Sequence, residues 1–375
     1  MTRIKYPVNR RRKPSLRDTK SLTTIQILLP IWCSNISDNI PYIKKYGSIS
    51  KLICKSYPEC WKINKLKEFF YSKEEHEIEH VKNQCELSSD IIFQSEQLCL
   101  SRETNLAGTD ACENCIERLV ANRPALIIGN GPSLDTYSHL DALQKYGFNG
   151  DIFCVSAAAK KVLEKGIIPK YIISIDAEEY ESSHMNHAII NKYSDKITGI
   201  FSTSVNPITN NVFKGDRVFM QGYMKDDMLP NVSHILYLLT KVPSISTCGN
   251  VGSTGISIAS SMQYNPIILI GMDLSFPSLE DMSSYYDKAI YSWNPNKKEI
   301  KWGSGEFKYK IMKNPDFNKE YYVNSIFEMY KTSTIQFING LLEYNIKTIN
   351  CSEQGSIHGK NIIPMKFEEY LKSQK

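Results

Sequence analysis

No stretch of this sequence reaches the roughly 18–20 consecutive apolar residues that a membrane-spanning helix needs. Its apolar runs, such as Ile25–Trp32 and Ile267–Ile270, are short or interrupted. A secretion signal is not expected either: Gln26 and Pro30 break the apolar stretch behind the basic start, and no small-residue cleavage site follows. Internal repeats and low-complexity tracts are missing. The composition, 42% hydrophobic and 23% charged, excludes collagen, coiled coil and disorder throughout. A cytoplasmic protein is expected. At 375 residues it has room for two domains and can bury a core without disulfides or metals.

Net charge is nearly absent once one segment is set aside. Residues 1–20 carry eight basic side chains against Asp18, so the other 355 residues sum to −2. This arm reads as a solvated, disordered tail. Its charge would also suit peripheral contact with an anionic membrane at the inner face; nucleic acid is not expected as a partner. Seven of ten cysteines precede residue 116, including the Cys112-Glu-Asn-Cys115 pair. Without a second matching pair they read as free buried thiols rather than a metal site.

Three regions follow: the arm 1–20, a cysteine-rich, mainly helical region 21–120, and a domain over 121–375. From residue 123 short apolar runs recur at Ala125–Ile128, Ile152–Ser156, Tyr171–Ile175, Ile197–Ser202, Arg217–Met220, Ile267–Ile270 and Thr348–Cys351. Each has the length and β-rich content of a buried strand. Helical stretches at Ala157–Leu163, Gly255–Gln263 and Ile326–Tyr344 lie between them. This alternation predicts an α/β fold: a mostly parallel, doubly wound, Rossmann-like sheet with helices on both faces. Ligands of such sheets bind beyond the carboxyl ends of the strands. Residues 274–323, rich in Tyr, Trp and Phe, interrupt the rhythm and read as a lid or acceptor-binding insertion.

The motifs fall at strand ends. Ala125–Ile128 runs into Gly129-Asn130-Gly131-Pro132-Ser133. The glycines allow close backbone approach, and a helix start after Pro132 would favour a phosphate or carboxylate. The Walker ending Gly-Lys-Ser/Thr is missing, as is the third glycine of Gly-x-Gly-x-x-Gly. A second apolar strand ends in Asp176, where a ribose hydroxyl or a metal-bound phosphate would be met. Gly252-Ser253-Thr254, ahead of a helix, forms another candidate anion nest. As a fourth feature, another strand ends in Gly271-Met272-Asp273, and His358 is the best placed of seven histidines for acid–base work.

Taken in order, these pieces resemble the MptE-like domain family. That family includes archaeal 6-hydroxymethyl-dihydropterin pyrophosphokinases and the bacterial motility accessory factor (Maf) glycosyltransferases. The matching stretches are Ile-Ile-Gly-Asn-Gly-Pro-Ser-Leu-Asp135, Gly166-Ile-Ile-Pro169 with Ile-Ser-Ile-Asp176, Gly252-Ser-Thr-Gly-Ile-Ser-Ile-Ala259, Ile-Ile-Leu-Ile-Gly-Met-Asp-Leu274 and Glu353-Gln-Gly-Ser-Ile-His-Gly359. The first loop is also similar to the CMP-binding loop of bacterial sialyltransferases. The resemblance implies a transferase. Gly129, Asn130, Gly131, Pro132, Ser133, Gly252, Ser253 and Thr254 would contact the nucleotide, and His358, Asp176 and Asp273 would do the chemistry. Three readings follow. The first is a glycosyltransferase moving a sialate- or pseudaminate-type sugar from a CMP-activated donor to a glycan or protein acceptor. The second is an ATP-dependent pyrophosphokinase acting on a pterin. The third is a non-enzymatic nucleotide- or glycan-binding module. No tightly bound cofactor is expected; Mg²⁺ would enter through Asp176 and Asp273 if the reaction needs it.

Overall fold

A computed structural model describes residues 24–50, 52–53, 123–177, 179–223, 240, 242, 244–282, 291–294, 299–302 and 305–374. The basic arm, most of the cysteine-rich region with Cys112 and Cys115, and Glu178 lie outside the described residues. Nine parallel strands form the main sheet: β1 (Ala125–Ile128), β2 (Asp151–Val155), β3 (Tyr171–Ser174), β4 (Thr198–Ser202), β5 (Arg217–Tyr223), β6 (Ser244–Ser246), β7 (Ile267–Ile270), β12 (Thr348–Asn350) and β13 (Ile362–Pro364). Their spatial order is β13-β12-β7-β1-β2-β3-β4-β5-β6. Every pairing in it is parallel, so the sheet is wholly rather than mostly parallel. The α/β expectation holds.

β1 starts in the middle. The chain steps outward to β6, then crosses back to β7 on the other side of β1. The switch point of strand order therefore lies between β1 and β7, where a crevice opens at the carboxyl edge of such sheets. All four residues of β1 are buried. Leu126 and Ile128 join one core, and Ala125 and Ile127 the other, as a strand covered on both faces requires.

The helices are α1 (Thr24–Tyr46), α2 (Ser133–Thr136), α3 (His139–Tyr146), α4 (Ser156–Glu164), α5 (Glu179–Ser182), α6 (Ala188–Lys192), α7 (Pro207–Val212), α8 (Val251–Ser261), α9 (Ser325–Leu341) and α10 (Phe367–Ser373). Leu140 and Leu143 of α3, Ala158 and Val162 of α4, and Phe367 of α10 fill one core. Ile256 and Ile258 of α8 and Ile338 of α9 fill the other. α8 begins four residues before the Gly255 start read from the sequence. The reason is Asn250, whose side chain accepts from Ser253 N at 2.9 Å and caps the helix.

α1 packs on the sheet although it ends at Tyr46 and the first strand begins only at Ala125. Ile43 enters one core and Ile49, just beyond α1, the other. Asn35 Nδ2 donates to the carbonyls of Ala177 and Ser204 at 2.9 and 3.0 Å. Asn39 Nδ2 donates to those of Thr203 and Val205 at 3.0 and 2.8 Å. Two buried amides thus satisfy the loops that leave β3 and β4. Arg217 is buried beneath Tyr42, Tyr46 and Phe213 and donates to the carbonyls of Asn210 and Phe213. The stretch from Asn35 to Ile49 therefore packs into the same core as the sheet.

The aromatic insertion folds as an antiparallel sheet of β8 (Tyr291–Asn294), β9 (Glu299–Trp302), β10 (Gly305–Asn314) and β11 (Lys319–Asn324). A bridge between Phe276 and Tyr322 ties it to the chain leaving β7. Buried Asn314 ties it to the loop after β12, donating to the Gly355 carbonyl at 2.8 Å.

Candidate functional site

Parallel strands put all their carboxyl ends on one edge. Gly129–Ser133 leaves β1, Asp176 follows β3, Asp273 follows β7, and His358 lies in the loop after β12. Each predicted motif is therefore on the same edge. Their surroundings differ, and that decides what each can do.

The loops after β1 and β7 lie against each other. Gly129 N donates to Ile270 O at 2.9 Å and Gly131 N to Gly271 O at 2.8 Å. A Cβ on Gly129 would overlap the Gly271 carbonyl, and one on Gly131 the Asp273 carboxylate. The glycines are thus demanded by the neighbouring loop, before any ligand is considered. Ser133 is fully buried; its hydroxyl and N–H both donate to Asp273 Oδ2, at 2.7 and 3.2 Å. In this structure Ser133 is turned to the protein's own carboxylate, whereas the sequence expectation had it contact a nucleotide at a helix start. α2 is a single turn, and the protein's own carboxylate holds its first N–H. Pro132, with φ −60°, sets that turn.

Asn130 is the exception. It is exposed, and it makes no hydrogen bond among the described residues. A polar side chain at the tip of the switch-point loop, free of internal partners, is the group the loop offers to a ligand. No lysine or arginine lies between Leu126 and Gln144. Lys161 approaches α2 but is engaged with Asp135 at 2.7 Å.

Asp273 is 1% exposed. Burial raises its pKa to about 6, against the pull of the Ser133 hydroxyl, Gln354, the Ser133 amide and His139. Oδ1 has no geometrically acceptable hydrogen-bond partner among the described residues. In this structure the group is enclosed by the protein's own residues, unlike the ligand-facing carboxylate expected from the sequence. Around it stand residues that sequence reasoning missed. His139 is buried, its Nε2 3.5 Å from Glu353 Oε1, and its ring packs on Tyr137 and Phe367. Burial, then Glu353 and Asp273, push the Tyr137 hydroxyl pKa up. Nothing local marks His139, because its neighbours Glu353 and Phe367 come from more than 200 residues away.

Asp176 is half-buried beside the α1 seal, its carbonyl accepting from Asn206 N at 3.1 Å. β3 and β7 are three strand spacings apart, on the order of 14 Å. One Mg²⁺ with ligands near 2.1 Å cannot take both Asp176 and Asp273 directly. Among the described residues no group of three His, Cys, Asp or Glu side chains is arranged to hold a metal.

Ser253 and Thr254 are buried inside the first turn of α8. The Ser253 hydroxyl bonds Asn250 and Thr334, and that of Thr254 donates to Asn250 O at 2.8 Å. Gly252 faces Met272, which also approaches Gly129. In this structure the turn expected as an anion nest at Gly252, Ser253 and Thr254 is closed by its own side chains, and Gly252 lies against Met272 behind the β1 loop.

His358 is half-buried at the seam with the insertion, its Nε2 3.3 Å from the Tyr321 hydroxyl. Burial, and next Lys331, hold its pKa below the ordinary imidazole value, with Asp316 opposing. At neutral pH the ring is therefore neutral and able to accept a proton.

The architecture is a doubly wound parallel sheet with a glycine-rich loop at its switch point. Residues 104–278 match the family model described as 6-hydroxymethylpterin diphosphokinase MptE-like. No curated protein matches the sequence. Among solved structures it is similar to a Maf glycosyltransferase from Magnetospirillum magneticum AMB-1, at 17% identity and a TM-score of 0.47. That similarity covers 68% of this chain and 36% of the other, so the chain spans about a third of that protein's length. Among the described residues no helix is long and apolar enough to cross a membrane.

Proposed function

We propose that this protein is a transferase of the MptE-like kind that takes a CMP-activated sialate- or pseudaminate-type donor and passes the sugar to a glycan or protein hydroxyl. The observation that carries this reading is the exposed Asn130, without a hydrogen bond among the described residues, on a switch-point loop that contains no lysine or arginine. Neutral donors and acceptors suit a monophosphate diester, with its single charge. A triphosphate asks for lysine, arginine or a metal cluster, as in a Walker loop. His358, held neutral beside Tyr321, is the base for the acceptor hydroxyl. The insertion, docked through Asn314 and Phe276, lies next to His358 and is the acceptor-facing element.

A second reading, pyrophosphoryl transfer from ATP to a pterin, is favoured by the description of the matching family model. It needs a metal site. The separation of Asp176 from Asp273 counts against a shared ion.

Thermal-shift titration with CMP and with ATP–Mg²⁺, followed by CMP release from CMP-sialate, tests the proposal. Stabilisation by CMP without Mg²⁺, and turnover of the CMP-sugar, is the expected result. Stabilisation by ATP–Mg²⁺ alone would hand the site to the pyrophosphokinase. CMP binding without turnover of any CMP-sugar would mark a binding module.

A further inference from the structure

Three loops leave neighbouring strands β1, β7 and β12 at the switch point, and they meet at one residue. The side chain of Asp273 holds the β1 loop through Ser133 N and Oγ, both on Oδ2. Its backbone holds the β12 loop: Ser356 N and Oγ donate to Asp273 O at 2.8 and 3.1 Å. Gly355, at φ +88°, lies so close that a Cβ there would stand 2.7 Å from Asp273 Cα. A Cβ on Gly131 would meet the carboxylate itself. The rest of the segment between β1 and α3 is held by Gly129 N and Gly131 N on the carbonyls of Ile270 and Gly271, by buried Leu134 and by the Asp135–Lys161 pair. α2 is one turn long, and Asn130 at the tip makes no hydrogen bond among the described residues.

A fully buried carboxylate whose Oδ1 has no geometrically acceptable hydrogen-bond partner among the described residues is a costly choice for packing alone. Its value lies in what the other oxygen does. It gathers two donors of one serine into charge-assisted bonds, which are shorter and stronger than neutral ones.

We propose that Asp273 is the positioning residue of the nucleotide loop: acting through Ser133, it fixes the Gly129–Ser133 segment so that Asn130 is presented at the switch point, and it never touches the ligand. This rests on the nucleotide reading of the loop. It also makes a claim about the unliganded protein that stands apart from that reading.

The experiment uses the full chain as wild type, Asp273→Asn, Ser133→Ala and the double variant. CMP affinity is measured by titration, and hydrogen exchange over 129–136 is followed without ligand. Each single variant is expected to weaken CMP at least tenfold. The double variant should be no more than threefold worse than the poorer single, because both act through one contact. Exchange over 129–136 should quicken at least tenfold in Asp273→Asn, while α8 is unchanged. Losses that multiply in the double variant would overturn the proposal. So would loop exchange that does not change, or a lower melting point with affinity intact. If wild type binds neither CMP nor ATP–Mg²⁺, the nucleotide reading falls, and loop exchange alone decides the positioning role. Should Asp273→Asn fail to fold, Ser133→Ala is measured in its place: weaker CMP binding and faster loop exchange support the role, and no change in either overturns it.

Discussion

Over β4 and β5 the carboxyl edge carries Ser202, Thr203, Ser204 and Gln221, all buried. Ser202 pairs with Ser204 and Thr203 with Gln221, while Asn35 and Asn39 of α1 take the carbonyls of the loops. Over β1 and β7 the same edge leaves Asn130 exposed and, among the described residues, without a hydrogen bond, and Asp273 Oδ1 without a geometrically acceptable one. Both stretches are polar, and both sit where ligands of parallel sheets bind. What separates them is hydrogen-bond satisfaction. Polar residues at a strand end mark the edge; a polar group kept free of internal partners marks the site.

Four experiments bear on that contrast. The largest effect is expected at His358. His358→Ala should lower kcat for sugar transfer by about 10²–10⁴-fold, the usual worth of a positioned base. Its depressed pKa also predicts that the acid limb of kcat/KM in wild type falls below the ordinary imidazole value near 6.5. A limb above that value would remove His358 from the role.

Next comes the pH dependence of stability at the open end. Asp273 has its folded pKa raised from 3.8 to about 6. Between those values the folded protein binds more protons than the unfolded one. The group's contribution is therefore fully present below the unfolded pKa and is lost as pH rises through the folded one. Denaturant melts should show wild type losing roughly 3 kcal/mol relative to Asp273→Asn between about pH 2 and pH 7, at 1.36 kcal/mol per unit. A difference flat with pH would mean that the carboxylate is not desolvated as described.

At the sealed end, Asn39→Ala strands the carbonyls of Thr203 and Val205 and the amide of Asn210. Urea unfolding should show a loss of about 2–3 kcal/mol, since unmet buried polar groups cost about 1–3 kcal/mol each and some relaxation is expected. CMP affinity should hold wherever the variant stays folded. The smallest effect on stability belongs to Asn130→Ala. An exposed side chain without partners should cost no more than about 0.5 kcal/mol in the same melt.

Much of this plan is legible in the sequence because buried parallel strands are short apolar runs. β1, β3 and β7 stand out, each followed by Gly or Asp. β6 and β13 escape notice, being three residues each, with serines in one and Pro364 at the end of the other. The start of α8 is hidden because Gly252 and Gly255 look like a linker, although Asn250 three residues before Ser253 is a cap signal. In β10 and β11 the alternation is diluted by Lys308, Lys310, Lys313, Lys319 and Glu320, so the antiparallel sheet reads only as an aromatic insertion. For the site, the sequence brings Asn130, Asp176, Asp273 and His358 to one edge. It cannot tell which carboxylate faces a ligand and which faces Ser133. That distinction depends on Gly131, Ser133 and Gln354 closing around Asp273, contacts made across 140 and 81 residues of chain.

If the open end binds a nucleotide monophosphate through Asn130, calorimetric titration of CMP into wild type and Asn130→Ala, without Mg²⁺, will show it. Saturable binding to wild type, weakened at least tenfold in a variant that melts at the same temperature, is the predicted result. Equal affinity in both proteins, or no binding to either, would contradict it.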